Sequence, residues 1–471
     1  MPHFEKLLTT TRARGAYESE FIFTARESGM SSFGSSSSRR SRVTGRSTFG
    51  SRTTTGRPTS RGARGITSGK QVVKKKKNSV DKRNPPGFKK LSKLGEGGFG
   101  AVWDCELIKS GRCFAVKQLV KGPTSEAKRN VETGLNEQWF GRMWFDEGGS
   151  SRKMLGICEA MDPPTSEDGE GNGWLWKVNP SIYPGIRSIA KLITTIDTPT
   201  DLWLVFEKCG IPLTELLWEL KGSFHNGTRI YKCRRRSFWI AMKEDKNVLR
   251  KFLLKMFEAL ELISDSNTVH SDLKPDNILV NYMRGEDDFH SLKIIDFGSA
   301  YDFDNVEKVK SATPEYLPPE ALSLQCSRRV GHSSEDVRRT LCDDSAPHAV
   351  DMWSLGCIFL EICAGFPLWF GYKSKVGNGT NFLRGLFAVN GRTPEKLISK
   401  QIDVVSNLPK VLKKYPELGL SDDPEAMDLL CSMLHLDPKE RITPKDAMQH
   451  PFITKLTLDC ESLEEKKSYG K

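Results

Sequence analysis

The chain has 471 residues, with 71 Lys plus Arg against 59 Asp plus Glu, a formal net charge of +12 and 37% hydrophobic residues. That length and apolar content support a sizeable core and exclude a wholly disordered chain. The charge is uneven: residues 1–90 hold 21 basic and five acidic residues (net +16), whereas residues 91–471 are slightly acidic (net −4).

The basic excess belongs to a tail. Residues 1–84 read as a disordered Ser/Thr/Gly/Arg-rich segment, because 28–83 have no helical or strand period and too little apolar surface to offset chain entropy. The K-K-K-K run from Lys74 to Lys77 resembles a nuclear-localisation or polyanion-binding patch. A microtubule, RNA or DNA surface is therefore a candidate partner, and a solvated linker accounts for the run equally well. The N-terminus has no apolar signal core, and Glu5, Glu18, Glu20 and Glu27 fit a transit peptide poorly. Eleven cysteines without a C-x-x-C pair suit a reduced compartment. The expected location is cytoplasmic and/or nuclear, not secreted and not transmembrane. The apolar run from Trp353 to Phe370 approaches the length of a membrane span. It contains Gly365 and Pro367 and follows Asp351, so it reads as a buried helix plus a turn.

From Phe88 the pattern changes to short segments rich in β-branched and aromatic residues: F-K-K-L-S-K-L, A-V-W-D-C-E-L-I and C-F-A-V-K-Q-L-V, separated by Gly-rich or Ser-Gly turns. These predict an antiparallel meander. A helix is expected around Ser125 to Trp144, then strands at Ile189 to Ile196 and Leu202 to Phe206. After Pro212 the period is mostly helical, as from Leu249 to Ile263. Three non-periodic stretches, about 148–182, 221–246 and 320–351, read as inserted loops, either mobile or used for docking. The expected class is α+β, a small β-rich lobe (about 88–207) followed by a larger helical lobe (about 212–455), with a short C-terminal tail, 456–471.

Two motifs carry chemistry. Gly95-Glu96-Gly97-Gly98-Phe99-Gly100-Ala101-Val102 lies between two predicted strands, where glycines let backbone N–H groups approach phosphate oxygens without Cβ clashes. Lys117 follows on the next strand. The second motif, Val269-His270-Ser271-Asp272-Leu273-Lys274-Pro275-Asp276-Asn277, packs acids, a lysine and an amide into one polar loop. Nineteen residues beyond Asn277 stands Asp296-Phe297-Gly298. Two acid or amide oxygens on neighbouring loops suit Mg²⁺, which keeps waters and uses few protein ligands.

Taken together, these motifs resemble the protein kinase superfamily over roughly residues 88–455. The resemblance implies a bilobal protein kinase fold, a Ser/Thr protein kinase activity, protein substrates, and ATP and Mg²⁺ as cofactors. It implies that Leu94, Gly95, Glu96, Gly97, Gly98, Phe99, Gly100, Val102 and Ala115 enclose ATP, that Lys117 meets its α- and β-phosphates, and that Glu207 and Cys209 form the hinge behind Phe206. Asp272 becomes the base, Lys274 lies beside the γ-phosphate, and Asn277 and Asp296 hold Mg²⁺. Glu132 and Glu137 both compete to pair with Lys117; Glu132 is preferred for its apolar neighbour Leu135. Glu320 is expected to pair with Arg441, and Asp351 to hold the catalytic-loop backbone. Lys274 and Thr313 indicate Ser/Thr specificity. Ser271 stands where most of the family has an arginine that gathers a phosphorylated activation-loop residue, so activity independent of that phosphorylation is expected. A pseudokinase scaffold whose tail and insertions bind an anionic partner is the alternative.

Overall fold

The computed structural model describes residues 21–25, 83–97, 100–145, 178–225, 228–283, 289–306, 312–326, 333–369, 385–389, 393–414 and 420–456. Most of the first insertion, most of the basic tail and residues 457–471 lie outside the described residues.

Within the basic tail, Phe21–Ala25 forms strand β1. The small lobe then begins with β2 (Phe88–Gly97), β3 (Gly100–Leu107) and β4 (Cys113–Val120), followed by helix α1 (Ser125–Phe145) and strands β5 (Leu192–Asp197) and β6 (Asp201–Glu207). These five strands form one antiparallel sheet in the order β2-β3-β4-β6-β5. Alternation explains its two faces. Trp103, Cys105, Phe114, Val116, Trp203 and Val205 pack on one side, and Leu119, Leu192, Leu202 and Leu204 cluster separately.

The chain then crosses through β7 (Ile211–Pro212), α2 (Leu213–Leu217), the hairpin β8 (Trp218–His225) and β9 (Thr228–Arg235), and helices α3 (Ser237–Glu244) and α4 (Lys246–Asp265). Helix α4 starts at Asp245, whose carboxylate accepts from the Asn247 backbone N–H at 2.8 Å. Its buried face runs Val248, Leu249, Phe252, Leu253, Met256, Phe257, Leu260 and Ile263. Such a stripe is the expected amphipathic pattern, each full burial stabilising by about 1.5–3 kcal/mol. Short strands β10 (Thr268–Val269), β11 (Ile278–Asn281), β12 (Ser291–Ile294) and β13 (Tyr301–Asp302) carry the loops that matter for chemistry. Helices α5 (Pro319–Cys326), α6 (Ser334–Arg338), α7 (Ala349–Ala364), α8 (Pro394–Val405), α9 (Leu408–Leu412), α10 (Pro424–Met433) and α11 (Pro444–Met448) complete the large lobe.

Every residue of α7 is buried, and it stops at Gly365 with φ +77°, a left-handed conformation that costs glycine little. It is therefore the core helix expected from the apolar run. No helix among the described residues is long and apolar enough to cross a membrane.

Three expectations change. Strand β1 pairs antiparallel with β9, Phe21 opposite Cys233, so five residues of the tail are not unstructured. The second insertion is not a plain loop but includes the β8–β9 hairpin; its strands flank Asn226-Gly227, a strong short hairpin signal that the composition-based reading passed over. The third insertion contains α6 and a following π-turn, Arg339–Asp343.

Candidate active site

Strand β4 places Lys117 opposite Val102 on one side and Leu204 on the other. Its ammonium donates to Glu137 Oε2 and to Asp296 Oδ1, each at 2.7 Å. Glu137, not the expected Glu132, is therefore the carboxylate on α1 that meets Lys117. The reason lies in the helix face. Gly134, Glu137, Phe140, Gly141 and Trp144 are among its buried residues, whereas Leu135, taken as the marker of the inner face, is 51% exposed and Glu132 is exposed with it. Gly134 is the sharper signal, because a Cβ there would lie 2.8 Å from the Leu119 side chain.

Burial alone would disfavour charge throughout this cluster. It pushes the Glu137 carboxyl up to about 7 against the pull of Lys117. Burial also opposes the charge on Lys117, but Asp296 and Glu137 outweigh it and hold the ammonium well above its ordinary value. Asp296, desolvated but facing Lys117, Lys274 and His270, is held below the usual carboxylate range. The three groups form a mutually dependent charge cluster, buried at Lys117 and Glu137 and partly open at Asp296.

Across the cleft, Asp351 at the start of α7 accepts the backbone N–H groups of His270 (2.7 Å) and Ser271 (2.9 Å). Ser271 takes φ +70° and Asp296 φ +66°, left-handed conformations rare outside glycine. Both sit in the loops that shape the site. Asp272 is 5% exposed; its Oδ2 accepts from Lys274 at 2.6 Å, and its Oδ1 accepts from the Thr313 backbone N–H and hydroxyl, both at 2.8 Å. Lys274 also donates to Thr313 Oγ1 at 2.9 Å. A carboxylate, a lysine and the hydroxyl of the segment before α5 are thus already in mutual contact.

Asn277 donates its amide N–H to Asp272 O at 2.8 Å, leaving its own amide oxygen as a donor for a cation. The Ile295 N–H bonds to Asn277 O at 3.0 Å, which sets Asn277 beside the strand leading into Asp296. No group of three His, Cys, Asp or Glu suited to a metal is found among the described residues. An amide oxygen and a carboxylate fit Mg²⁺ completed by phosphate oxygens and water, and do not make an all-protein cage.

On the sheet side, Gly95 pairs with Val102, and Ala115 with Phe206. Leu94 and Glu96 are exposed; Gly98 and Phe99 lie outside the described residues. A Cβ on Gly100 would stand 2.4 Å from Gln118 O, so the sheet reaches this close approach only with glycine. At the end of β6 Glu207 accepts from the Lys191 N–H at 2.9 Å and pairs with Lys293 at 2.6 Å. The Cys209 thiol, pushed up to about 12 by burial, donates to Glu207 O.

Two residues escaped the sequence reading. Asn136, next to Glu137, donates its amide to the carbonyls of Phe297, Gly298 and Ala300 (3.2, 3.1 and 2.9 Å). Trp144 packs edge-on against Phe297 with centroids 5.0 Å apart, while His270 packs on the same ring at 4.7 Å. Neither belongs to a short motif, and only the spacing from the correct glutamate would have pointed to them. The expected pair of Arg441 and Glu320 is present and bidentate, at 2.5 and 2.9 Å.

A β-rich lobe and a helical lobe meet at a lysine–carboxylate cluster and a loop bearing Asp, Lys and Asn. The family model described as protein kinase domain matches residues 185–453, more than half of the chain, and the chain belongs to the protein kinase family. The match starts at Gly185, so kinship of β2 to β4 and α1 rests on their geometry. The chain is 32% identical over 207 residues to the mitogen-activated protein kinase MPS1 of Pyricularia oryzae, covering 43% of this chain and 45% of that protein. It is 33% identical over 215 residues to HOG1 of Wallemia muriae, covering 44% and 67%, and 32% identical over 206 residues to pmk-1 of Caenorhabditis elegans, covering 42% and 47%. The chain spans about half the length of most of the curated relatives it matches.

Proposed function

We propose that this chain is an ATP-dependent Ser/Thr protein kinase that transfers the γ-phosphate of ATP to Ser or Thr hydroxyls of protein substrates. The observation that carries the reading is the joint presence of Lys117 paired with Glu137 and of Asp272 held between Lys274 and Thr313. Mg²⁺-ATP would supply the transferable phosphoryl group and a cation to neutralise its charge. The chain's own residues would do the rest. Lys117 would orient phosphates from the sheet side, with Leu94 to Gly100, Val102 and Ala115 above the nucleotide and the Glu207–Cys209 hinge beside its base. Asn277 and Asp296 would hold Mg²⁺. Asp272 would accept or orient the proton of the incoming hydroxyl, and Lys274 would face the transferred group, so the site works by positioning and electrostatics.

Lys274 and Thr313 support Ser/Thr rather than Tyr specificity. Ser271, which cannot gather a phosphate as arginine does, supports activity that needs no activation-loop phosphorylation. The scaffold alternative and an anionic partner for the tail draw no support from the relatives, which are named as kinases. Radiolabelled ATP transfer to a degenerate Ser/Thr peptide array is expected for the full chain and lost in Asp272→Asn with folding intact. Equal transfer by both would overturn the assignment.

A further inference from the structure

Residues 333–345, in the insertion between Glu320 and Asp351, take no part in the phosphotransfer site among the described residues, yet they are closely held. Ser333 and Asp336 form a capping box: the Ser333 hydroxyl accepts from the Asp336 N–H at 3.1 Å, and the Asp336 carboxylate accepts from the Ser333 N–H at 3.2 Å. Helix α6 then widens into the π-turn Arg339–Asp343. Such a bulge re-aims the side chains that follow it. Val337 (6% exposed) and Leu341 (2%) enter the main core, the same cluster that holds Phe303 and Val306. The π-turn packs between residues 303–305 and α5, and the Cys342 thiol donates to Phe303 O while the Val306 N–H faces the same sulfur.

Tyr301–Val306 is the stretch that follows Asp296-Phe297-Gly298. Its other side is clamped from the end of α4: Asn267, at φ +56°, donates to Asp302 Oδ1 (2.8 Å) and Asp304 Oδ2 (2.9 Å) and accepts from the Phe303 N–H (2.8 Å). Buried Ser271 brings no cation to this region, and its N–H is committed to Asp351. The segment is thus gripped on both sides by apolar packing and hydrogen bonds, with no cationic side chain among these partners.

We infer that residues 333–345 are an intrachain brace on Tyr301–Val306, anchored by Cys342 on Phe303 O and seated in the core by its neighbour Leu341, the positioning residue. The brace holds the activation segment by packing, where the family's usual arginine would hold it through a phosphate. This rests on the phosphorylation-independent kinase reading above.

The test uses the full chain, Leu341→Ala, Leu341→Met as conservative rescue, and Leu429→Ala, which empties a buried position on α10 instead. Phosphoryl transfer to the degenerate peptide array gives kcat and the KM for ATP, and hydrogen exchange reads the amides of 301–306. Leu341→Ala is expected to lower kcat at least tenfold with the KM for ATP within twofold, and to speed exchange at 301–306. Leu341→Met restores both, phosphatase treatment leaves wild type unchanged, and Leu429→Ala leaves kcat within twofold. A Leu341→Ala kcat within twofold of wild type, an equal fall in Leu429→Ala, or unchanged exchange at 301–306 overturns the brace. If wild type transfers no phosphate, the kinase reading fails, and exchange at 301–306 still decides the brace by itself.

Discussion

Removing Glu137 from Lys117 is the most discriminating perturbation of the site. Lys117 has two carboxylate partners at 2.7 Å, and Glu137 is 4% exposed, so solvent cannot replace it. At an effective dielectric of about 20, a charge pair this close gains on the order of 6 kcal/mol before desolvation. Breaking a buried pair from one side costs about 3–5 kcal/mol net. Asp296 remains on Lys117 and absorbs part of that, leaving about 2–3 kcal/mol, or roughly a 30- to 150-fold loss in kcat/KM for ATP. Glu137→Gln keeps the shape and removes the charge, and Glu132→Gln makes the same change on the exposed face. Steady-state peptide phosphorylation with ATP varied is expected to show that loss for Glu137→Gln and less than twofold for Glu132→Gln. An equal or larger loss in Glu132→Gln would refute the placement of α1.

Three further expectations concern stability and the tail. Arg441→Ala strands the Glu320 carboxylate and takes donors from Ala349 O and His435 O, so the urea midpoint should fall by an amount equivalent to about 3–5 kcal/mol. Glu361, buried in α7, has its carboxyl pushed up to about 8 by burial, from an ordinary value of 4.5, although the Tyr316 hydroxyl and the Leu368 N–H donate to it. Between those two values the folded chain holds a proton that the unfolded chain has released. Stability should therefore fall as pH rises through that window, by at most about 1.4 kcal/mol per unit, and the slope should shrink in Glu361→Gln; denaturant titrations at pH 6 and pH 8 would measure it. Deleting residues 1–84 should leave peptide phosphorylation within about twofold; a collapse of turnover would make β1 and the tail part of the catalytic domain.

Motifs compressed into one loop were the most legible part of this chain. Asp272, Lys274 and Asn277 lie within six residues, and their hydrogen bonds to one another follow from that proximity. The meander of β2 to β4 was readable from its β-branched and aromatic segments and the glycine turns between them, and α4 from its apolar stripe. What stayed hidden depends on the rotation of one helix about its axis. Between Glu132 and Glu137 the apolar neighbour favoured the wrong residue, because Leu135 faces outward while the inner face is marked by small and polar residues, Gly134 and Asn136. The insertions were missed for other reasons: the local Asn226-Gly227 signal of the β8–β9 hairpin was passed over, and the turn after α6 owes its order to a partner far away in sequence, Phe303 O for Cys342.

Asn136 has a consequence for how the site can switch. Its single amide serves three carbonyls of residues 297–300 while its neighbour Glu137 grips Lys117. Helix α1 cannot slide outward without releasing the loop that carries Asp296, nor can Phe297 swing away without stripping α1 of its anchor. The two elements form a single mechanical unit, so intermediate positions of either one alone lose hydrogen bonds and gain none. A displacement of either element therefore costs the hydrogen bonds that join it to the other.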